Sequence, residues 1–273
     1  MKYIRKKYIT ILVLILLMAA ITLAKHARSQ PQNIAVADKG DMVLIDGGSF
    51  QMGNENGSLD EKPIHQVSVN SFMMDIYEVT YQQYREFIED NPQWRKGNVE
   101  IDLADLSYLH DWENLSYPQE KDNHPIVYIS WHAAKTYAEW AGKTLPTEAQ
   151  WEYASRGGYR NMDYPWGNEF KSSLTQWRGS KETGTTQVGR YTINGFGLHD
   201  MLGNAGEWTG DGYELYQAKE VTDPSSPLNR HLKVLRGGSW KSKQADLRVS
   251  ARRAYRPNMC LPDAGFRCVL TKY

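Results

Sequence analysis

NGFGLHDMLGNAGEWTGD, residues 194–211, sets Gly195, Gly197, Gly203, Gly206 and Gly210 among Phe196, Leu198, Met201, Leu202 and Trp208. Glycine is costly inside a helix or strand, so this density marks turns with positive φ or close backbone approach. The apolar residues between the glycines pack those turns inward. A buried, turning backbone leaves carbonyl oxygens without ladder partners, and something has to satisfy them. Asn204 and Glu207 add side-chain oxygens to the same turn. Two readings follow. A hard cation such as Ca2+ takes about six to eight oxygens from carbonyls, amides and carboxylates, and this segment would supply half of such a site. Alternatively, Asn204 and Glu207 cap the turns through hydrogen bonds alone.

Around that stretch lie 273 residues, 41% of them hydrophobic, enough to bury a substantial core. Lys+Arg and Asp+Glu are both 32, so net charge selects no class of partner. Nine Trp and 17 Tyr point to a core poor in long helices, because these side chains bury area while keeping a polar handle. At the N-terminus Lys2, Arg5, Lys6 and Lys7 precede the apolar run Ile9–Ala24. Its length, about sixteen residues, suits the apolar region of an export signal and is short for a spanning helix. Residues 22–24 and 35–37 offer small-x-small cleavage matches, and an uncleaved anchor is the competing reading. Either way the domain is expected outside the cytoplasm, with residues 1–37 as signal or anchor plus linker and 41–273 as the folded domain. Cys260 and Cys268 are the only cysteines, and in an oxidising compartment an even pair is read first as a disulfide.

Local patterns place the elements. Residues 41–53 read as a strand, a Gly-Gly turn and a second short strand, and His65–Met74 alternates like a strand. Thr80 opens a helix with Gln83 at the capping-box position. Ser130 caps another that stops at Gly142, and Thr147 caps a third, with Gln150 at its capping-box position and Gly157-Gly158 at its end. Between the first two helices, residues 91–123 mix seven carboxylates with Trp94, Tyr108, Trp112 and Tyr117 and show little periodicity. They read as a lid, or as a solvated loop anchored by its aromatics. Lys233–Trp240 enters as a strand. Residues 246–253 alternate, with Leu247, Val249 and Ala251 on one face, so Arg248 and Arg252 point into a cleft or solvent.

Several common chemistries are missing. No glycine-rich phosphate loop opens a helix, no HExxH occurs, and the seven His are scattered without helical metal-ligand spacing. Neither GGSF nor GGSW is a GxSxG nucleophile elbow, so Ser49 and Ser239 read as turn residues.

Taken together, MVLIDGGSFQMG (42–53), DIYEVTYQQYREF (75–87), the run 124–158, YPWGNEF (164–170), NGFGLHDMLGNAGEW (194–208), LRGGSW (235–240) and GFRC (265–268) resemble the sulfatase-modifying-factor family. Its founder is the formylglycine-generating enzyme. The resemblance implies an α+β, C-type-lectin-like fold with little regular secondary structure. It also implies one calcium site at Gly203, Asn204, Ala205 and Glu207, since the segment matching the family's other calcium site is shortened. The family's oxidase holds Cu(I) on two cysteines just after the GGSW-type turn. Here Ser242 stands near the first position and Ala245 or Asp246 near the second, so copper is not expected.

Three functions fit these readings. One is a non-oxidase binding or structural module of the cell envelope, with Ser242, Asp246, Arg248 and Arg252 lining a cleft for a peptide or envelope protein. Another is an oxidoreductase or maturation enzyme on the same fold. The third is calcium-dependent, lectin-like glycan binding. No nucleic-acid partner is expected, and the membrane is met only through the N-terminal segment.

Overall fold

A computed structural model describes residues 41–227 and 230–271, which fall in one compact unit spanning Asp38–Tyr273. The N-terminal apolar run lies outside the described residues. Among the described residues no helix is long and apolar enough to cross a membrane.

The chain enters as β1 (Met42–Ile45), turns at Gly47 into β2 (Gly48–Met52), and returns as β3 (His65–Val69) and β4 (Phe72–Asp75). Met52 lies opposite His65, Gly48 opposite Val69, Ile45 opposite Phe72 and Met42 opposite Asp75, all antiparallel. The register is unbroken across the bend. The four strands are therefore one long hairpin folded at Gly47 and Asn70-Ser71 into two sheets. Glycine is required at that corner, because a Cβ on Gly47 would sit 2.6 Å from the carbonyl oxygen of Val69. The Gly-Gly pair is a corner between sheets, not the loop of a hairpin.

Three helices follow where the caps place them. In α1 (Tyr81–Asp90) and α3 (Glu148–Arg156), Thr80 and Thr147 accept from the backbone N–H of Gln83 and Gln150, whose side chains reach back to the caps. In α2 (Trp131–Trp140), Ser130 accepts from Ala133 N. Gly157 ends α3 at φ +59°, a left-handed stop that glycine takes without strain.

Of the two readings of residues 91–123, the structure has the loop anchored by its aromatics. Residues 91–123 fold back on α1 and α2 and bury Trp94, Tyr108, Leu109 and Trp112 in the same apolar cluster as Tyr84, Phe87 and Tyr137. The Tyr84 and Tyr108 hydroxyls bond at 2.8 Å, and Tyr108 also reaches Trp94 O. A second apolar cluster joins the long hairpin to Trp151 and Ala154 of α3.

The glycine-rich stretch feeds the central strand of a four-stranded sheet. Strand β5 (Gly206–Gly212) lies between β7 (Lys233–Arg236), antiparallel, and β9 (Ala264–Gly265), parallel, with β8 (Arg252–Tyr255) beyond β7. Short strands β6 (Val221–Thr222) and β10 (Val269–Leu270) extend the two hairpin sheets. Residues 246–251 are not strand: a 3-10 turn at Gln244–Asp246 and further turns precede β8. Leu247 and Val249 are buried as their alternation suggests, but turn geometry rather than a pleat puts them there.

Helix α3 carries Glu148 and Glu152 against two arginines of the sheet. Arg252 grips Glu148 through Nε at 2.6 Å and Nη2 at 2.7 Å, and fully buried Arg236 bonds Glu152 and lies 3.2 Å from Glu148. Arg156 adds a bond to Glu152 at 2.6 Å. Burial alone would raise the Glu152 pKa, but Arg156 and Arg236 overcome it and hold the carboxyl below its ordinary range. Removing one partner of such a group leaves uncompensated buried charge. Glu152→Gln is therefore expected to lower unfolding free energy by about 3–5 kcal/mol in urea titration, and a loss under about 1 kcal/mol would refute this role.

Candidate functional site

The turn after β7 is closed by its own hydrogen bonds. Gly237 and Gly238 take φ of +85° and +66°. Ser242 Oγ then accepts from Ser239 N at 3.0 Å, while Ser239 Oγ donates to Asp263 Oδ2 at 2.5 Å and accepts from Lys241 N at 3.2 Å. Arg253 completes the cluster, with Nη1 3.2 Å from Asp263. Of the four residues assigned to a cleft, Ser242 is buried in this turn and Asp246 is exposed. Arg248 is tied to Glu61, and Arg252 to Glu148. They share no cleft. Each arginine has met a carboxylate far away in the sequence.

The disulfide is also corrected. Cys260 and Cys268 are free, buried thiols. The segment between them holds β9 in the sheet, and each cysteine is anchored to a different acid. Asp105 Oδ2 accepts from Cys260 N at 3.2 Å, and Asp75 Oδ2 from Cys268 N at 3.0 Å. Burial first, and the neighbouring Asp second, push both thiols well above the ordinary cysteine range.

At the glycine-rich turn, protein partners take up the oxygens of Glu207 and Asn204 considered for calcium. Glu207 Oε1 accepts from Arg267 Nη2 at 2.8 Å, and Oε2 accepts from Arg267 Nε at 2.8 Å and Trp151 Nε1 at 2.7 Å. Asn204 Oδ1 accepts from Thr186 N at 2.8 Å, and Asn204 O from Trp240 N at 3.0 Å. Gly203, at φ +81°, is needed because a Cβ there would lie 2.2 Å from Thr175 Oγ1. Ala205 packs in the core beside Trp208. Among the described residues no group of three His, Cys, Asp or Glu could hold a metal ion. A carboxylate neutralised by a two-pronged guanidinium does not fit a calcium shell, so these residues fit the hydrogen-bonded reading.

A cavity of about 270 Å³ opens where the N-terminus of α3, the end of β5 and residues 214–226 meet. Met52, Tyr216, Val221 and Pro224 give it apolar walls, and Glu148, Asp211 and Arg252 give it polar ones. The Arg252 guanidinium lies 4.0 Å from the Tyr216 ring centroid and 4.8 Å from that of Tyr213. Asp211 is 5% exposed and accepts from Glu148 N and Ser226 N, both at 2.5 Å. Burial pushes its pKa up to about 6. Of the cleft residues named from sequence, only Arg252 lines this cavity. Asp211 and Glu148 carried no local signal, because their partners lie in distant segments.

Residues 27–272 match the family described as Sulfatase-modifying factor enzyme 1-like domain. The chain belongs to this family. Formylglycine-generating enzyme of Bos taurus is 30% identical over 275 residues, covering 83% of this chain and 74% of that protein. Inactive C-alpha-formylglycine-generating enzyme 2 of the same organism is 30% identical over 277 residues, covering 83% and 87%. Serine/threonine-protein kinase pkn1 of Chlamydia pneumoniae is 38% identical over 251 residues, 90% of this chain but 39% of the kinase. The chain thus spans about two-fifths of the length of the chlamydial relatives it matches. Among solved structures, PvdO from Pseudomonas aeruginosa superposes with TM-score 0.69 at 23% identity, covering 88% of this chain and 99% of that one. Treponema denticola variable protein 1 does so with TM-score 0.67 at 19% identity, covering 85% and 95%. The fold is the family's C-type-lectin-like α+β fold.

Two outcomes follow from the site. Glu207→Gln leaves Arg267 short of its counter-ion, so the melting temperature should fall by at least several degrees, while Ca2+ or chelator should not move the wild-type melting curve. A calcium-dependent rise would overturn the hydrogen-bonded reading. At Asp211 the folded state binds its proton more tightly than the unfolded chain. That contribution is complete below the unfolded pKa of about 3.9 and is lost as pH rises through about 6. Measured by urea titration, the stability difference between wild type and Asp211→Asn should move toward wild type by about 2 kcal/mol from pH 7.5 to 4.5. A constant difference would exclude it.

Proposed function

We propose that this chain is a non-oxidase member of its family, a domain outside the cytoplasm that holds a peptide or protein partner. One observation carries the reading. At the turn where the family's oxidase needs two thiolates, Ser242 caps Ser239, and both thiols of this chain lie elsewhere, each beside its own aspartate. Cu(I) favours soft thiolate ligands, and a protonated, buried thiol is a poor substitute. The residues present do not fit copper. The charged n-region and apolar run of the N-terminus support export. The likeness to a relative named inactive is as extensive as the likeness to one named for the activity. The match within the longer chlamydial protein is compatible with a domain that acts beside others.

The test is an oxidase assay with a binding arm. The purified protein, supplied with Cu(I), oxygen and a cysteine-type sulfatase peptide, is expected to give no aldehyde by mass spectrometry while remaining folded by circular dichroism. Aldehyde formation abolished by Cys260→Ser would overturn the reading. In the binding arm, immobilised protein should retain a defined subset of an envelope-peptide library, and uniform passage of the library would count against a binding role.

A further inference from the structure

We propose that a second cavity, between the loop after β2 and residues 161–168, binds the ring of a neutral sugar. The inference is independent of the peptide-binding reading and concerns a different part of the surface.

This cavity holds about 280 Å³, near the lower end of small-molecule sites. Carboxamides dominate its wall, contributed by Gln51, Asn54, Asn56, Asn161 and Asn168. Each carries donors and an acceptor without a charge. Asp163 and the buried Arg156 line the same space.

Part of this hydrogen-bonding capacity is spent on fixing the wall. Asn54 Nδ2 donates to Asp163 Oδ1 at 3.0 Å, and Asn168 Oδ1 accepts from Asp163 N at 3.1 Å. Val249 N donates to Asp163 O at 2.8 Å and ties the loop to the body of the domain. Asp163 Oδ2 and Asn168 Nδ2 are left for a ligand, on side chains already held still, so engaging them costs little further ordering. Arg156 gives Nε and Nη2 to Glu152 and Gly53, while Nη1 makes one bond, to Met162 O at 3.4 Å. One of the two Nη1 hydrogens is therefore unspent. Among the described residues nothing bonds the carboxamide of Asn161, which stands at φ +56° on the exposed side of the cavity.

The mixture selects the ligand. Arg156 is paired with Glu152, and Asp163 lies in the field of Arg248, so neither offers an uncompensated charge. An anion would meet Asp163 and Glu55, and a hard cation would meet a guanidinium and amide N–H groups. A hydroxyl donates and accepts at one oxygen, so a rigid ring bearing several of them can use both kinds of group at once. Ile64 and Met162 add apolar area for the C–H face of such a ring.

The test titrates the purified, 15N-labelled full chain with glucose, galactose, mannose and N-acetylglucosamine. N-acetylglycinamide, which has amides but no hydroxyl, inorganic phosphate and Ca2+ are the comparison probes. At least one sugar is expected to shift the amide resonances of Asn54, Asp163 and Asn168, saturating in the millimolar range with or without chelator. Asn161→Gly removes a carboxamide while keeping the left-handed backbone, and Asn168→Asp removes a donor while keeping the acceptor for Asp163 N. Each should weaken that sugar at least about threefold, the loss of one neutral hydrogen bond, with an unchanged circular dichroism spectrum. Absence of a saturable shift with all of these sugars, or wild-type affinity in both variants, overturns the inference. So does the same set of shifts from N-acetylglycinamide, phosphate or Ca2+.

Discussion

The pair Arg267–Glu207 is the contact on which the fold closes. Arg267 is fully buried, and besides Glu207 it donates to the carbonyls of Asp75, Ile76 and His199. One guanidinium thereby joins the C-terminal segment, the end of β4, the glycine-rich turn and β5. Trp151 of α3 reaches the same carboxylate. A buried ion pair contributes little net stability over an apolar one, because both partners lose their water. Its value here is geometric. The guanidinium's fixed fork admits one arrangement of five acceptors, and turns with no ladder of their own are held by it.

The second network has the same logic beside it on α3, where Arg236 also lies over the Trp151 ring. Glu148 and Glu152 meet Arg252, Arg236 and Arg156, so the helix is fixed to β7 and β8 by charge, while Trp151 and Ala154 pack with the long hairpin. Once these acids and bases have found each other, few ionised groups near them remain for outside partners. Asp211 caps the first amide of α3 and gathers the Ser226 loop, with buried Lys233 in its field.

Much of this was legible in the sequence where the determinant is local. Thr80, Ser130 and Thr147 mark helix starts because a cap acts within three residues, and Gly157 marks an end because its φ is positive. The glycine-rich stretch was recognisable as a buried turn, and Gly203 shows why no other residue fits. What was not legible depends on distant partners. Arg248 and Arg252 alternate with apolar residues and so read as cleft residues, but their carboxylates, Glu61 and Glu148, lie 187 and 104 positions away. The aromatics of residues 91–123 read as lid or anchors alike until packing against α1 and α2 decides for anchors. Nothing local distinguishes Glu207 as a ligand of calcium from Glu207 as the partner of Arg267.

The turn after β7 shows why a member of this family can lack the thiol pair and keep the fold. Its shape comes from two glycines at positive φ and from the Ser239–Asp263 bond, none of which involves sulfur. Ser242 sits where its hydroxyl accepts from Ser239 N, and an oxygen is a better acceptor there than a thiol would be. The two ion-pair networks that hold α3 and β5 are built from Glu148, Glu152, Glu207 and their arginines, again without a cysteine. Scaffold and oxidase chemistry therefore rest on separate residues. A sequence that drops the soft ligands loses the basis for Cu(I) while every bond that closes the turn is retained, and the cavity at Asp211, on a different part of the scaffold, is unaffected by that exchange.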